Sequence, residues 1–274
     1  MNARGAFNYL VPPALAAALR RWSGRTLRFE GRPSDWRQAE RMSSGYDAAV
    51  ILDRVARATR AVVRSDGMLH ERDGVLLERP EYPFAILTGL LRAATANGGR
   101  LNVIDFGGSL GGIYRQCRPL LADLSQLRWW VVEQPAFVAA GQAEFATPEL
   151  GFAGAIADID LRDDHAVVLA SSVLQYLEDP DAVLEQFARS PAHHLIIDRT
   201  PMSLLEADRL CVQKVPAFIY PASYPCWIFS RPRLLQTLAR DWQLVCAFPG
   251  AEGAMRTNDG VAFEFEGMIL ERKR

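Results

Sequence analysis

The residues with the clearest capacity for chemistry are two carboxylates that each close a short apolar run, Asp105 after Leu101-Asn-Val-Ile and Glu133 after Leu127-Arg-Trp-Trp-Val-Val. Past Asp105 the chain breaks into Phe106-Gly107-Gly108-Ser109-Leu110-Gly111-Gly112, a glycine-dense turn of the kind that follows a strand into a nucleotide-binding loop. Glycines there allow positive φ and close approach of a ligand, and the next helix aims its N-terminus at whatever is bound. A dinucleotide fingerprint would read G-x-G-x-x-G. No frame supplies it, because Ser109 stands where the second glycine is needed. The frame D-x-G-x-x-x-G, with Asp105, Gly107 and Gly111, fits better and predicts a small ligand carrying an amino acid and a nucleoside. Glu133, about twenty residues past the loop, stands where doubly wound folds put the carboxylate for ribose hydroxyls.

Such residues work together only if parallel strands end at a common edge, since ligands of open α/β sheets lie outside the carboxyl ends of the strands. Three more apolar runs meet the requirement. Leu150 to Ile156 leads into Asp158, His165 to Ala170 leads into Ser171 through Gln175, Tyr176 and Pro180, and His194 to Asp198 makes a fifth strand. Helices are expected after Asp35, over Ala48 to Val63 on helical spacing, from about Pro83, over Asp181 to Arg189, and after the capping Ser230. Residues 1–97 read as a helical N-terminal cap, closed by the turn Asn97-Gly-Gly99, and 98–274 as the ligand-binding domain. Within it, 200–229 reads as an irregular aromatic and proline-rich insertion, and Trp242 to Phe248 with Val261 to Leu270 as a closing pair of strands joined by a Gly-rich loop.

The loop of Asp105, Gly107 and Gly111 resembles the first motif of class I S-adenosylmethionine (SAM) methyltransferases, with Ser109 replacing the middle glycine, and the Ser171 to Pro180 segment resembles the one after their fourth strand. Ser43-Ser-Gly-Tyr46-Asp47, Glu71-Arg72-Asp73, the loop itself and Val131-Val-Glu-Gln134-Pro135 together resemble a family of bacterial methyltransferases often associated with surface-polysaccharide gene clusters. The resemblance implies an α/β, Rossmann-like class I methyltransferase fold: a mostly parallel seven-stranded sheet with helices on both faces, plus the cap. It implies SAM as cofactor and S-adenosylhomocysteine (SAH) as product, held by Asp105, Gly107, Gly108, Ser109, Gly111, Glu133, Gln134 and Ser171, with Asp158 near the adenine and Tyr46 and Arg72 on the methionyl end. Gln175, Arg199, Tyr220 and Trp227 are then expected to contact the acceptor, and Asp198, Tyr224, Tyr176 and His70 to be the catalytic candidates. The expected reaction is O-methylation of a small molecule or sugar-containing precursor. N- or carboxyl-methylation, or SAM binding without transfer, are the alternatives.

Composition narrows the partners. With 31 basic against 32 acidic residues there is no excess positive charge for a phosphate backbone, so nucleic acid is not expected. Cys117, Cys211, Cys226 and Cys246 show no C-x-x-C spacing for zinc, no acidic cluster marks a magnesium site, and a reducing cytoplasm suits the thiols. The apolar stretch Phe7 to Leu19 is interrupted by Pro12-Pro13, reads poorly as a signal peptide and is too short to span a bilayer, which leaves room only for weak peripheral membrane contact. A homodimer is allowed. His165, His193 and His194 begin strands, on the wrong side of the sheet, whereas His70 lies in the cap, where it can reach a substrate.

Overall fold

Strands buried on both faces must be apolar at consecutive positions, and Val103-Ile104, Val131-Val132, Val167-Val168-Leu169 and Leu195-Ile196-Ile197 are all buried. The computed structural model describes residues 27–44, 48–65, 67–72, 74–77, 79–161, 166–216 and 222–273; Tyr46, Asp73, His165 and Tyr220 lie outside the described residues. In chain order the first elements are β1 (Arg28–Glu30), α1 (Trp36–Met42), α2 (Ala48–Arg64), β2 (Glu71–Arg72), β3 (Val75–Leu76) and α3 (Phe84–Ala96). The central set is β4 (Arg100–Phe106), α4 (Gly112–Cys117), β5 (Gln126–Val132), α5 (Pro135–Glu144), β6 (Leu150–Ala153), β7 (Ala166–Ser171), α6 (Pro180–Arg189) and β8 (Ala192–Ser203). The last are β9 (Arg209–Lys214), β10 (Ser223–Ser230), α7 (Arg231–Leu238), β11 (Trp242–Arg256) and β12 (Ala262–Arg272).

The main sheet is a mixed α/β sheet of Rossmann-like order, β6-β5-β4-β7-β8-β12-β11. Its first five strands are parallel and β12 runs antiparallel to β8. From β4 the chain winds out to β6 and returns to β7 on the other side of β4, so the strand order reverses between β4 and β7, the place where such sheets bind ligands. Period-two alternation sorts the strand residues between two cores. Leu127, Trp129 and Val131 join residues of α2, α3, α4 and α5, while Ile104, Val168 and Ile197 join residues of α6, α7 and β12. Helix starts follow their caps: Asp35 accepts from Gln38 N at 2.7 Å, Asp179 from Ala182 N at 3.0 Å and Ser230 from Arg233 N at 3.3 Å.

The described residues gather into two compact units, those within 1–46, 210–226 and 256–261, and those within 47–209, 227–255 and 262–274. In the smaller, β1 pairs antiparallel with β9, Lys214 Nζ meets Glu30 Oε2 at 2.6 Å, and Cys211 Sγ donates to the Cys226 carbonyl at 3.2 Å. The larger holds the whole seven-strand order. This division does not follow the expected boundary at residue 97. Helices α2 and α3 fold with the sheet, where α3 buries Ile86, Leu90 and Ala93, and the expected helical cap also contains β1 and the β2-β3 hairpin.

Two stretches differ from expectation because strand pairing overrides local turn signals, joined in the first by burial. The segment 200–229 is largely strand: β8 continues through Pro201 to Ser203, and β10 carries Pro225 between buried Ser223 and Cys226. The glycine-rich piece after Phe248 lies inside β11, paired to β12, with the connecting turn at 257–261. Among the described residues no helix is long and apolar enough to cross a membrane.

Candidate functional site

A cavity of about 400 Å³ opens at the carboxyl ends of β4 and β7, beside the middle of β8, in the larger unit. It brings together Asp105 from β4, Gly107, Gly108 and Ser109 after it, Ser171 from β7, Asp198 and Arg199 from β8, and Arg72 from β2. The turn after β4 is left-handed at Gly107 (φ 73°), Ser109 (φ 55°) and Gly111 (φ 80°). Ser109, where the motif's middle glycine is missing, therefore takes the conformation that glycine would have supplied. Ser172 (φ 55°), just past β7, and Arg199 (φ 50°), within β8, are the other described non-glycine residues with positive φ. Each such residue costs on the order of 1 kcal/mol, a strain that concentrates at ligand sites.

Asp105 lies beneath this turn. Its Oδ2 accepts from Trp129 Nε1 at 3.0 Å, while its buried Oδ1 has no hydrogen-bond partner. Burial pushes its carboxyl up to about 7, the Trp129 bond opposes that, and the Glu133 charge adds to it. The glycines above it serve the protein first. A Cβ on Gly108 would stand 2.5 Å from Asp105 Oδ2, and one on Gly107 2.8 Å from Val173 Cβ, so the expected need for ligand clearance is joined by packing against the acid and against β7's exit.

Glu133 is adjacent but does not line the cavity. Its Oε1 accepts from Ser109 N at 3.2 Å and its Oε2 from Gln134 N at 2.8 Å, so the acid at the end of β5 fastens the loop after β4. Burial raises its pKa against those two backbone bonds. Asp198 is buried midway along β8, level with the end of β7, and accepts from Ser171 Oγ at 2.8 Å. Its pKa is raised by burial, with the Ser171 bond and the Arg199 charge pulling it down and Glu252 pushing it up. Arg199 pairs with Glu252 at 2.6 Å, and its carbonyl accepts from Gln175 Nε2 at 3.2 Å.

The remaining candidates stand elsewhere. Gln175 is buried outside the cavity lining and props the Arg199 backbone. Tyr176 ends a 3-10 turn beside it, and the Trp227 indole N–H is spent on the Leu177 carbonyl at 3.0 Å. His70 is buried behind the wall, its Nδ1 at 2.7 Å from Glu81 O and 3.0 Å from Glu81 N, which explains its burial without a substrate. Gln134 and Asp158 are exposed at the ends of β5 and of a 3-10 turn. Tyr224 belongs to the smaller unit, where its hydroxyl accepts from Gln213 Nε2 at 3.4 Å.

Sequence reasoning missed a second wall, Glu81 to Ile86 together with Phe248, Pro249 and Ala251. The signal was present, since Glu81-Tyr82-Pro83-Phe84 has the same aromatic and proline character that drew notice to 200–229. Glu71 also lines the cavity, and a Cβ on Gly112 would stand 2.6 Å from its Oε1.

The sequence matches no family model and no curated protein. Similar solved structures include the glycopeptide N-methyltransferase MtfA complexed with sinefungin, 13% identical over 69% of this chain and 87% of that one, with a TM-score of 0.44. The 1,6-didemethyltoxoflavin-N1-methyltransferase of Burkholderia thailandensis, with bound SAH, is 14% identical over 70% and 81% at a TM-score of 0.41. The N-terminal domain of EvdMO1, with SAH and D-fucose, is 14% identical over 84% and 98% at a TM-score of 0.46.

Proposed function

We propose that this chain is a SAM-dependent methyltransferase that methylates oxygen on a small molecule or sugar-containing acceptor. The observation that carries the reading is the cradle at the strand-order reversal, a left-handed turn at Gly107 and Ser109 above a buried acid whose Oδ1 is unpartnered. An unpaired buried acceptor beside a cavity is costly unless a ligand donates to it, and a cofactor bearing an ammonium and a sulfonium fits that need. Asp105, Gly107, Gly108, Ser109 and Gly111 would hold it, with Glu133 and Gln134 at its ribose, Asp158 and Ser171 at its nucleoside end, and Arg72 and Tyr46 at its methionyl end. When bound, the cofactor supplies a methyl group on a positively charged sulfur.

The chain's own part is alignment, exclusion of water and custody of one proton. Asp198 is the group for the proton, because burial has raised its basicity and Ser171 fixes one of its oxygens. Arg199, held in a left-handed conformation, clamped to Glu252 and supported by Gln175, fixes the main chain next to that carboxylate.

Calorimetry with SAM, SAH and NAD, followed by transfer of labelled methyl to a panel of hydroxylated acceptors, tests the reading. SAM and SAH should bind and NAD should not. Tight NAD binding with no response to SAH overturns the assignment.

A further inference from the structure

The cavity's second wall bears on the acceptor, and its chemistry is unlike that of the loop after β4. Tyr82 and Phe84 place their rings 5.9 Å apart with a 39° tilt, and both line the cavity while remaining open to solvent, at 38% and 66% exposure. Tyr82 is braced from behind by the edge of His70, 5.1 Å away at 85°, and His70 is itself tied to the Glu81 backbone. The two rings form an exposed aromatic shelf at the cavity on which the face of another ring can pack.

Charge selects the partner further. The lining carries four carboxyl groups, Glu71, Glu81, Asp105 and Asp198, against two guanidinium groups, Arg72 and Arg199. Both guanidinium groups are engaged, Arg72 with Glu81 and Arg199 with Glu252. With Arg72 given to the methionyl end of the cofactor and Arg199 held by Glu252, a phosphate or carboxylate on the acceptor itself would face Asp198 and Glu81 and would have to break the Arg199–Glu252 pair to find a cation. A hydroxyl, in contrast, can donate to Asp198 or Glu81.

Resting on the methyltransferase reading, we infer that the acceptor is an uncharged, hydroxyl-bearing ring that lies on the Tyr82–Phe84 shelf with a hydroxyl toward Asp198. Two sources share that chemistry, a hexopyranoside without phosphate and a phenol.

The experiment uses the full chain with and without saturating SAH, titrated by calorimetry and ligand-observed NMR with methyl hexopyranoside, catechol and hexose 1-phosphate. One of the two uncharged rings should bind, which names the source, and hexose 1-phosphate should bind at least tenfold more weakly than that ring. Tyr82→Ala and Phe84→Ala should each weaken the ring about tenfold while leaving SAH affinity within twofold; Phe84, being mostly exposed, can be truncated without loss of fold. Equal or tighter binding of the phosphate overturns the inference, as does ring binding indifferent to both substitutions, or no binding of either ring at millimolar concentration. If SAH itself fails to bind the unaltered protein, the cofactor reading falls, and the ring titrations without SAH still decide the shelf.

Discussion

Replacing Asp105 by asparagine isolates the electrostatic character of the cradle. The carboxyl is fully buried and pushed from its ordinary 3.8 up to about 7, so the folded chain holds this proton more tightly than the unfolded chain does. For this group, stability is greatest in acid and declines as pH rises from about 4 to about 7, above which the penalty is constant. At about 1.4 kcal/mol per pH unit, the ionised form costs about 4 kcal/mol above pH 7, and about 2–3 kcal/mol of that appears between pH 5 and pH 8.5. The substituted asparagine keeps the shape and the acceptor for Trp129 but points an amide toward the unpartnered position, a cost of about 1–3 kcal/mol that does not vary with pH. The stability of Asp105→Asn relative to the parent should therefore improve by about 2–3 kcal/mol from pH 5 to pH 8.5, read from urea midpoints at constant m-value. A difference identical at both pH values refutes the argument. Saturating SAH should shrink the pH dependence, because a cationic group beside Oδ1 favours the ionised acid.

Gly108→Ala adds a Cβ 2.5 Å from Asp105 Oδ2 at a position whose φ is not positive; it should cost about 1–3 kcal/mol of stability and at least tenfold in SAH affinity, and wild-type values for both would separate the loop from the acid. Glu133→Ala removes the acceptor for the Ser109 and Gln134 amides and the proposed ribose contact, so SAH should bind about 1–3 kcal/mol more weakly by calorimetry, and unchanged affinity would move the ribose elsewhere. Asp198→Asn should lower turnover about a hundredfold or more while leaving SAH affinity within a few-fold, and should abolish the rise in rate as pH passes a value above the ordinary carboxylate range; a retained pH limb assigns the base to another group. Ser230→Ala deletes the cap of α7 and should cost about 1 kcal/mol in denaturant unfolding with no change in SAH binding.

The parallel core was legible because its signals are local. Each inner strand is one apolar run, and Asp35, Asp179 and Ser230 announce their helices by side-chain caps that need only three residues of chain. The cradle was legible for the same reason, as Asp105, the loop and Glu133 lie within thirty residues and meet at the ends of adjacent strands. The second wall of the cavity was not. Tyr82 and Phe248 come to one cavity from elements 166 residues apart, and nothing in either segment marks the other. Pro201 and Pro225 read as loop signals, yet pairing and burial made strands of both segments, a tertiary outcome that no local propensity carries. Trp227 drew attention as an aromatic near the site, and its N–H serves the backbone of Leu177.

The cavity's Phe248, Pro249 and Ala251 stand on β11, an outer strand of the sheet, which among the described residues pairs with β12 alone. Side chains alternate along a strand, so a slip of one residue between β11 and β12 would exchange the faces of all three while leaving the β6-to-β8 core untouched. Phe248 resists that slip, its ring filling the space over Gly267, where a side chain would also stand 2.9 Å from the Ile197 carbonyl. If the proposed ring site works as inferred, the competent fraction of a preparation is then a property of one hairpin's fidelity, separate from the free energy of global unfolding. Two samples with identical melting curves can differ in the number of working molecules, and counting occupied ring sites per chain, not melting them, is what distinguishes the two.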